Sequence, residues 1–302
     1  MTDTPTPPPP GQPAAAMPQR IDRPGFFTRV LHWLIDDPVA AIGLVVLIVI
    51  CSCAVFADQI APYDPSLQDY AAMLEPPSAA HLLGTDDLGR DVFSRLIHGA
   101  SASIYAAVLA VGVATVLGVP VGLIAGYAGG WVDEVISRIL DTFLSFPAIV
   151  LAIAVTGVLG IGLTNAMLSV GIVFAPQLAR LVRARALVLK QELYVEASQC
   201  FGASPGWILR RHILPNAIQP VLVQITLLMA VALLAEASLS FLGLGMQPPD
   251  PSWGSMIARA YIYAQISPAQ MYAPGIAILV TALAFNTVGE SLREALDPTS
   301  RH

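Results

Sequence analysis

The chain has 302 residues, of which 55% are hydrophobic and only 12% are charged, and its mean hydropathy is +0.68. An ordinary soluble domain carries roughly 25% charged residues, so this composition excludes a typical soluble protein and predicts an integral membrane protein. The formal net charge is -6 and no basic tract with interleaved aromatic residues is present, which excludes a nucleic-acid-binding surface.

The first predicted element is a single membrane span at Val39–Ala57, after a polar N-terminal segment. Residues 1–20 are rich in Pro, Ala and Thr, a composition that cannot bury enough apolar surface to become ordered. We therefore expect a largely disordered, cytoplasmic N-terminal segment over residues 1–37. The apolar block starts too far into the chain for a secretory signal peptide, so it is interpreted as an uncleaved span.

Five further apolar blocks predict five more spans and an all-α fold. Each block has roughly 17 to 25 mainly apolar residues, the length that a helix needs to cross a bilayer. The second and third of these blocks are so close in sequence that they predict a tight helical hairpin, and Pro147 and Pro176 predict breaks or kinks in them. The five blocks cover residues 102–126, 142–163, 166–183, 217–236 and 272–288.

The placement of Lys and Arg predicts that both termini are cytoplasmic. With that orientation, twelve of the fifteen basic residues lie inside and three lie outside, and the acid-rich segment 58–98 faces outward. Two loops are too long for simple connectors, about 184–216 on the inside and 243–271 on the outside. The inside set is Arg20, Arg23, Arg29, Arg138, Arg180, Arg183, Arg185, Lys190, Arg210, Arg211, Arg293 and Arg301, and the outside set is Arg90, Arg95 and Arg259.

The stretch from Tyr194 to Asn216 predicts two short helices joined by a sharp turn. Gly202 is placed to end the first helix in a left-handed conformation. Ser204 can cap the second helix, with Pro205 in its first turn and Pro215 at its end. Apolar side chains exposed on such a loop would require a partner, and the candidates are Val195, Phe201, Trp207 and Ile208.

This stretch resembles the signature of the inner-membrane components of ABC importers. It contains Glu196-Ala197-Ser198, then Gly202, then His212-Ile213-Leu214-Pro215, and it departs from the family pattern at Ser198 and His212. The resemblance implies that loop 190–215 couples the spans to an ATPase subunit. The residues that it assigns to coupling are Glu196, Ala197, Ser198, Gly202, Ala203, Pro205, Leu214 and Pro215.

A second resemblance, spread over nearly everything after residue 38, is to the C-type permeases of dipeptide, oligopeptide and nickel importers. The matching motifs are Leu83 to Asp91 followed by Ser94-Arg95, Gly129-Gly130-Trp131-x-Asp133 with Arg138 and Asp141, Ser240 to Gly245 followed by Gln-Pro-Pro, and Leu292 to Pro298. This resemblance implies a type I permease fold with its first span and outer segment at 38–101 and its core at 102–302.

The same resemblance implies the partners and the substrate class. The partners would be a B-type permease in a heterodimer, two ATPase subunits that bind ATP and Mg, and an extracytoplasmic substrate-binding protein, in a bacterial inner membrane. This chain would bind no cofactor and no metal itself. Peptides are the expected substrate, with nickel chelates and glutathione as alternatives, and the outer loop 246–270 is expected to face the binding protein or its ligand.

Polar residues inside the predicted spans are candidates for the translocation path. They are Gln177, Gln224, Glu236 and Asn286, each of which could instead form hydrogen bonds between helices. Gly118, Gly122 and Gly126 indicate close helix contact, either within the subunit or with the second permease. Arg138 and Asp141 have a spacing that allows them to pair.

Catalysis by this chain is not expected. Gly202 to Gly206 matches G-x-S-x-G, but Pro205 has no N–H for an oxyanion hole and a helix, not a strand, precedes it. No phosphate-binding G-x-x-x-x-G-K-[ST] loop and no H-E-x-x-H zinc motif occur, and the five histidines lie outside the predicted spans. A stand-alone channel or secondary transporter is the remote alternative, and it would need no coupling loop.

Overall fold

The computed structural model describes residues 37–296, which form helices, turns and one isolated β-bridge between Thr85 and Asp91. The predicted disordered tail lies outside the described residues. A short 3₁₀ turn occurs at Tyr70–Ala72 and a π-helical turn at Leu209–Ile213. The helices are α1 (Pro38–Val55), α2 (Ala57–Ile60), α3 (Val92–Ala128), α4 (Gly130–Leu144), α5 (Ala148–Leu159), α6 (Leu163–Leu189), α7 (Leu193–Cys200), α8 (Pro205–Ile208), α9 (Leu214–Phe241), α10 (Trp253–Ile262) and α11 (Ala269–Leu296).

Within the described residues, five helices are long and apolar enough to cross a membrane, and a sixth span results if the bent pair of α4 and α5 is counted as one. The five are α1, α3, α6, the stretch from α8 through α9, and α11. The all-helical fold is therefore confirmed, with five or six candidate spans in the described residues. The cytoplasmic location of the two ends stays a prediction.

Several spans extend beyond the apolar blocks that predicted them. Helix α3 begins at Val92 instead of residue 102, and α9 continues to Phe241 instead of ending at 236. Asp91 caps α3, since its carboxylate accepts the Ser94 N–H at 2.7 Å. Apolar composition marks only the lipid-facing length of a helix, whereas these helices continue where other protein segments cover their polar side chains.

The predicted third span is not one straight helix. Its block at 142–163 contains the end of α4 and all of α5, and the two helices meet at an angle of 94°. Pro147 stands directly before α5, so the predicted break at this proline is confirmed. Helix α6 runs through Pro176 without interruption, so this proline does not break it, and a kink there stays a prediction.

The predicted hairpin between the third and fourth spans is confirmed. Helices α5 and α6 pack together, and only residues 160–162 connect them. Gly160 and Gly162 have φ angles of 98° and 141°, which residues with a side chain rarely adopt.

The glycine stripe of the second span packs inside the subunit. A Cβ on Gly118 would lie 2.6 Å from the Ala175 carbonyl oxygen, and one on Gly122 would lie 2.4 Å from that of Ala179. A Cβ on Gly126 would likewise be 2.6 Å from the Ala186 Cβ. Residue numbers rise together along both helices, so α3 and α6 run in the same direction at backbone contact. Of the two readings left open by the sequence, internal packing is the one observed.

The expected pairing of Arg138 with Asp141 is wrong. Arg138 instead pairs with Glu134, with Nη2 and Oε1 2.7 Å apart, and Asp141 pairs with Arg180 of α6. Asp133 also reaches α6, where its Oδ2 accepts a hydrogen bond from Arg183 Nη2 at 2.7 Å. Helix α4 is thus fastened to α6 by two ion pairs that join residues distant in sequence.

Candidate coupling and translocation sites

Residues 190–215 fold as the sequence predicts in their first half. Helix α7 ends before Gly202, whose φ of +77° is the left-handed stop that was expected. The Ser204 hydroxyl accepts the Trp207 N–H at 3.4 Å, and Pro205 occupies the first turn of α8. We refer to residues 190–215 as the coupling unit.

The second half of the coupling unit differs from the prediction at Pro215. This residue does not end a helix. Helix α8 continues through the π-helical turn Leu209–Ile213 into α9, and Pro215 lies in the first turn of α9. A proline is tolerated there because its missing N–H falls where the hydrogen-bonding pattern changes from π to α. The coupling unit is therefore continuous with the fifth span.

The four apolar side chains expected to be exposed divide into two pairs. Val195 and Ile208 are completely buried, which corrects the prediction for them. With Ile213 they belong to a small core that also includes Ala186 and Leu189 from the end of α6. Phe201 is 91% exposed and Trp207 is 49% exposed. The coupling unit thus has a buried base joined to two spans and presents two aromatic side chains outward.

The signature residues lie on both faces of this unit. Ser198 is half-buried, and its hydroxyl donates to the Tyr194 carbonyl oxygen at 2.7 Å and lies 3.2 Å from His212 Nε2. The His212 ring also contacts Trp207, with ring centroids 5.0 Å apart. The two departures from the family signature, Ser198 and His212, therefore touch each other. Of the remaining coupling candidates, Glu196, Ala197, Gly202, Pro205 and Pro215 are exposed, and Ala203 and Leu214 are half-buried.

The four translocation-path candidates do not form one cluster. Gln177 and Asn286 are exposed, Gln224 is half-buried and Glu236 is completely buried. Helix α3 serves as a ruler for the depth of these residues: Glu236 lies beside Ser103, whereas Gln177 lies close to Gly118. Ser103 and Gly118 are 15 residues apart on α3, which corresponds to roughly 22 Å at about 1.5 Å per residue.

Glu236 joins three parts of the chain. Its Oε1 accepts hydrogen bonds from the Ser240 and Ser252 hydroxyls, each at 2.7 Å, and its Oε2 is buried with no hydrogen-bond partner in the described part of the chain. The Ser103 hydroxyl accepts the Trp253 N–H at 3.1 Å beside it. Helix α9 continues past Glu236 to Phe241, and Ser252, which caps α10, covers its carboxyl group.

A second polar cluster lies at the same end of the bundle and is built on the Leu83–Asp91 motif. Asp86 accepts a hydrogen bond from Arg90 Nε at 2.7 Å, and Asp87 accepts one from Arg259 Nε of α10 at 2.6 Å. Both aspartates and Arg90 are buried. Bonding to Asp87 raises the pKa of Arg259, so the guanidinium remains charged at physiological pH. This cluster fastens the 56–91 segment to α10.

Sequence reasoning missed most members of these two clusters. Ser252 and Glu236 are 16 positions apart, and Asp87 and Arg259 are 172 positions apart. The signal available for the pair of Asp87 and Arg259 was their charge. Asp87 lies in the acidic Leu83–Asp91 motif, and Arg259 is one of three basic residues on the predicted outer side.

Comparisons with known proteins agree with this architecture. The family described as "Binding-protein-dependent transport system inner membrane component" matches residues 118–302, and "N-terminal TM domain of oligopeptide transport permease C" matches residues 25–77. The chain is 45% identical over 274 residues to the glutathione transport system permease protein GsiD of Pectobacterium atrosepticum, with 90% of each chain covered. It is 40% identical over 278 residues to the dipeptide transport system permease protein DppC of Alkalihalophilus pseudofirmus, with 90% of this chain and 91% of that protein covered.

Among solved structures, the fold is similar to that of a chain in inward-facing crystals of the MetNI methionine ABC transporter. The TM-score is 0.57 at 21% identity, and the match covers 68% of this chain and 98% of the other. At this identity the likeness concerns the fold alone. With two family matches, and relatives of at least 40% identity over nine tenths of its length, the chain belongs to the binding-protein-dependent inner-membrane components of bacterial ABC importers, as a multi-pass permease subunit of the C type.

Proposed function

We propose that this chain and a B-type permease together form the membrane path of an ATP-driven importer of peptides. The observation that carries the proposal is the coupling unit, in which Phe201 is 91% exposed on a turn whose base is completely buried. A large apolar side chain held out by a rigid base is suited to insertion into a groove of another protein. We propose that this groove belongs to one of two ATPase subunits, which bind ATP and Mg.

The attachments of the coupling unit support a route for mechanical coupling. Its base contacts Ala186 and Leu189 at the end of α6, and its second helix continues into α9. A displacement of Phe201 would therefore move two spans together. In the proposed cycle, ATP-driven closure of the ATPases opens the spans toward an extracytoplasmic binding protein, and hydrolysis returns them to an inward-facing state. Both termini and the coupling unit would be cytoplasmic.

For the path itself, we propose Gln177, Gln224 and Asn286 as lining residues. Gln177 and Asn286 expose amide groups on membrane-spanning helices, where contact with lipid would be unfavourable. A polar passage shared with the second permease removes that cost. The burial of Glu236 against two serines favours a positioning role for it, next to the path and not in it.

Peptides are the proposed substrate class. Two relatives that each cover about nine tenths of this chain are named for dipeptide and glutathione transport, and glutathione is itself a tripeptide. Glutathione is the second candidate after dipeptides and longer peptides, because the glutathione permease is 45% identical to this chain and the dipeptide permease is 40% identical. Nickel chelates remain the third. Binding measurements on the substrate-binding protein that serves this transporter, with dipeptides, oligopeptides, glutathione and nickel chelates, separate these candidates.

The coupling role is tested in the assembled transporter in liposomes. Gly202→Pro removes the left-handed turn, and Glu196→Lys reverses a charge on the exposed face of α7. Each variant should insert and assemble but lose ligand-stimulated ATPase activity and peptide uptake. Gly206→Ala is the matched control, because Gly202 and Gly206 both have free space around a Cβ and only Gly202 has a positive φ. Wild-type uptake and stimulation in assembled Gly202→Pro would contradict the coupling role.

A further inference from the structure

Helix α4 lies across the direction of the membrane spans. It meets α5 at 94°, and α5 packs along α6, which is one of the candidate spans. It begins directly after α3, next to the coupling unit, where Lys190 Nζ donates to the Tyr127 carbonyl oxygen at 2.8 Å. A helix that crosses the spans at nearly a right angle at this place would lie parallel to the membrane surface.

The side chains of α4 divide into three arcs around the helix. One arc faces the protein, with Leu140 buried and Asp133 paired with Arg183. A second arc is apolar and exposed, with Trp131 at 76%, Val135 at 47% and Ile139 at 52%. These three residues are spaced by four, so they lie on one side of the helix.

The third arc is charged and borders the apolar one. Glu134 and Arg138 pair across one turn at 2.7 Å, and both side chains are largely exposed. One residue turns the helix by about 100°, so this arc lies on the other side of Trp131 from Val135. Helix α4 therefore has one arc that packs against the protein, one arc that suits an apolar medium and one arc that suits water.

We propose that α4 is an interfacial helix that lies in the headgroup–acyl boundary of the bilayer, with Trp131, Val135 and Ile139 inserted toward the acyl chains. Helices with a strongly apolar face beside a charged one adopt this position, and tryptophan is enriched at that depth. Arg138 on α4 and Arg180 on α6 pair with Glu134 and Asp141 but stay more than half exposed, so their guanidinium groups are available to the phosphates of lipid headgroups. The adjacent charged arc favours a lipid–water boundary over a protein partner, which would have to cover Glu134 and Arg138 as well.

This placement would give the coupling unit a fixed height relative to the membrane. Asp133 and Asp141 tie α4 to Arg183 and Arg180 on α6, and the end of α6 supports the buried base of the coupling unit. If α4 is anchored in lipid, it would resist movement of the C-terminal end of α6 along the membrane normal. The coupling unit would then move mainly by rotation about this anchored end.

The test measures the surroundings of the two exposed arcs by electron paramagnetic resonance. In the assembled transporter in liposomes, with Cys51, Cys53 and Cys200 replaced by serine, a nitroxide label is attached at Val135→Cys or at its neighbour Glu134→Cys. The label at 135 should collide more with oxygen than with a water-soluble nickel chelate and should lie about 5–10 Å below the phosphates. The label at 134 should show the opposite preference.

A second pair, Ile139→Cys and Arg138→Cys, repeats the comparison if the first pair fails to assemble. Labels at 135 and 139 that are shielded from both reagents would show that another protein covers this face, and preferential collision with the nickel chelate would show that water does. Either result would overturn the proposal. The readout requires no transport, so it is independent of whether the imported substrate is a peptide.

Discussion

Adding one methyl group at Gly122 should destabilise the contact between α3 and α6, the most extensive helix pair in the described part of the chain. The Cβ of an alanine would lie 2.4 Å from the Ala179 carbonyl oxygen and 2.8 Å from the Val182 Cβ. An unstrained contact needs roughly 3.5 Å, so the two backbones would have to separate locally by about 1 Å. Overpacking of this kind costs about 1–3 kcal/mol.

Gly112→Ala on the same helix is the matched control, because a Cβ there meets no atom within 4 Å. Both substitutions gain about 1 kcal/mol of helix propensity, so that gain cancels when the variants are compared. Denaturant titration of the purified subunit in detergent micelles should therefore show Gly122→Ala to be about 1–3 kcal/mol less stable than Gly112→Ala. Equal free energies of unfolding would refute the close backbone contact.

Two further predictions concern the polar clusters at the end of the bundle opposite the coupling unit. Asp87→Asn and Arg259→Gln should each lower the thermal stability of the assembled complex. The double variant should lose less than the sum, with a coupling energy of about 1 kcal/mol because Arg259 is partly solvent-exposed; additive losses would argue against the pair. Glu236→Leu should cost about 1–3 kcal/mol, because it leaves the buried Ser240 and Ser252 hydroxyls without their acceptor. Glu236→Gln keeps a carbonyl oxygen and should cost less, and the reverse order in a melting assay would contradict this role.

The all-helical architecture was predictable because membrane spans depend on local composition. A run of about twenty apolar residues crosses lipid as a helix. Gly202 specifies the end of one helix and Ser204 and Pro205 the start of the next through their own local chemistry. The coupling unit was therefore predicted in outline from a short stretch of sequence.

What the sequence did not provide depends on contacts between distant residues. The burial of Val195 and Ile208 requires the end of α6 as a partner, and the pairing of Asp141 with Arg180 requires the α5–α6 hairpin to be in place. The spacing of Arg138 and Asp141 made Asp141 a plausible partner for Arg138. Arg138 instead pairs with Glu134, which lies one turn earlier on the exposed side of the same helix. Helix ends were mispredicted for the same reason, since polar residues such as Arg95 are covered by segments from elsewhere in the chain.

The proposed coupling role requires the turn at Phe201 to connect this bundle to a nucleotide-driven partner. A photoreactive benzoylphenylalanine at position 201 tests it in intact membranes, with the same group at Tyr70 as the control, since Tyr70 is 67% exposed on the 56–91 segment that is predicted to face outward. Residue 201 should cross-link to the ATPase subunit, and residue 70 should not. A cross-link from position 201 to the extracytoplasmic binding protein, or no ATPase cross-link in a complex that is assembled and active, would show that this turn does not contact the ATPase.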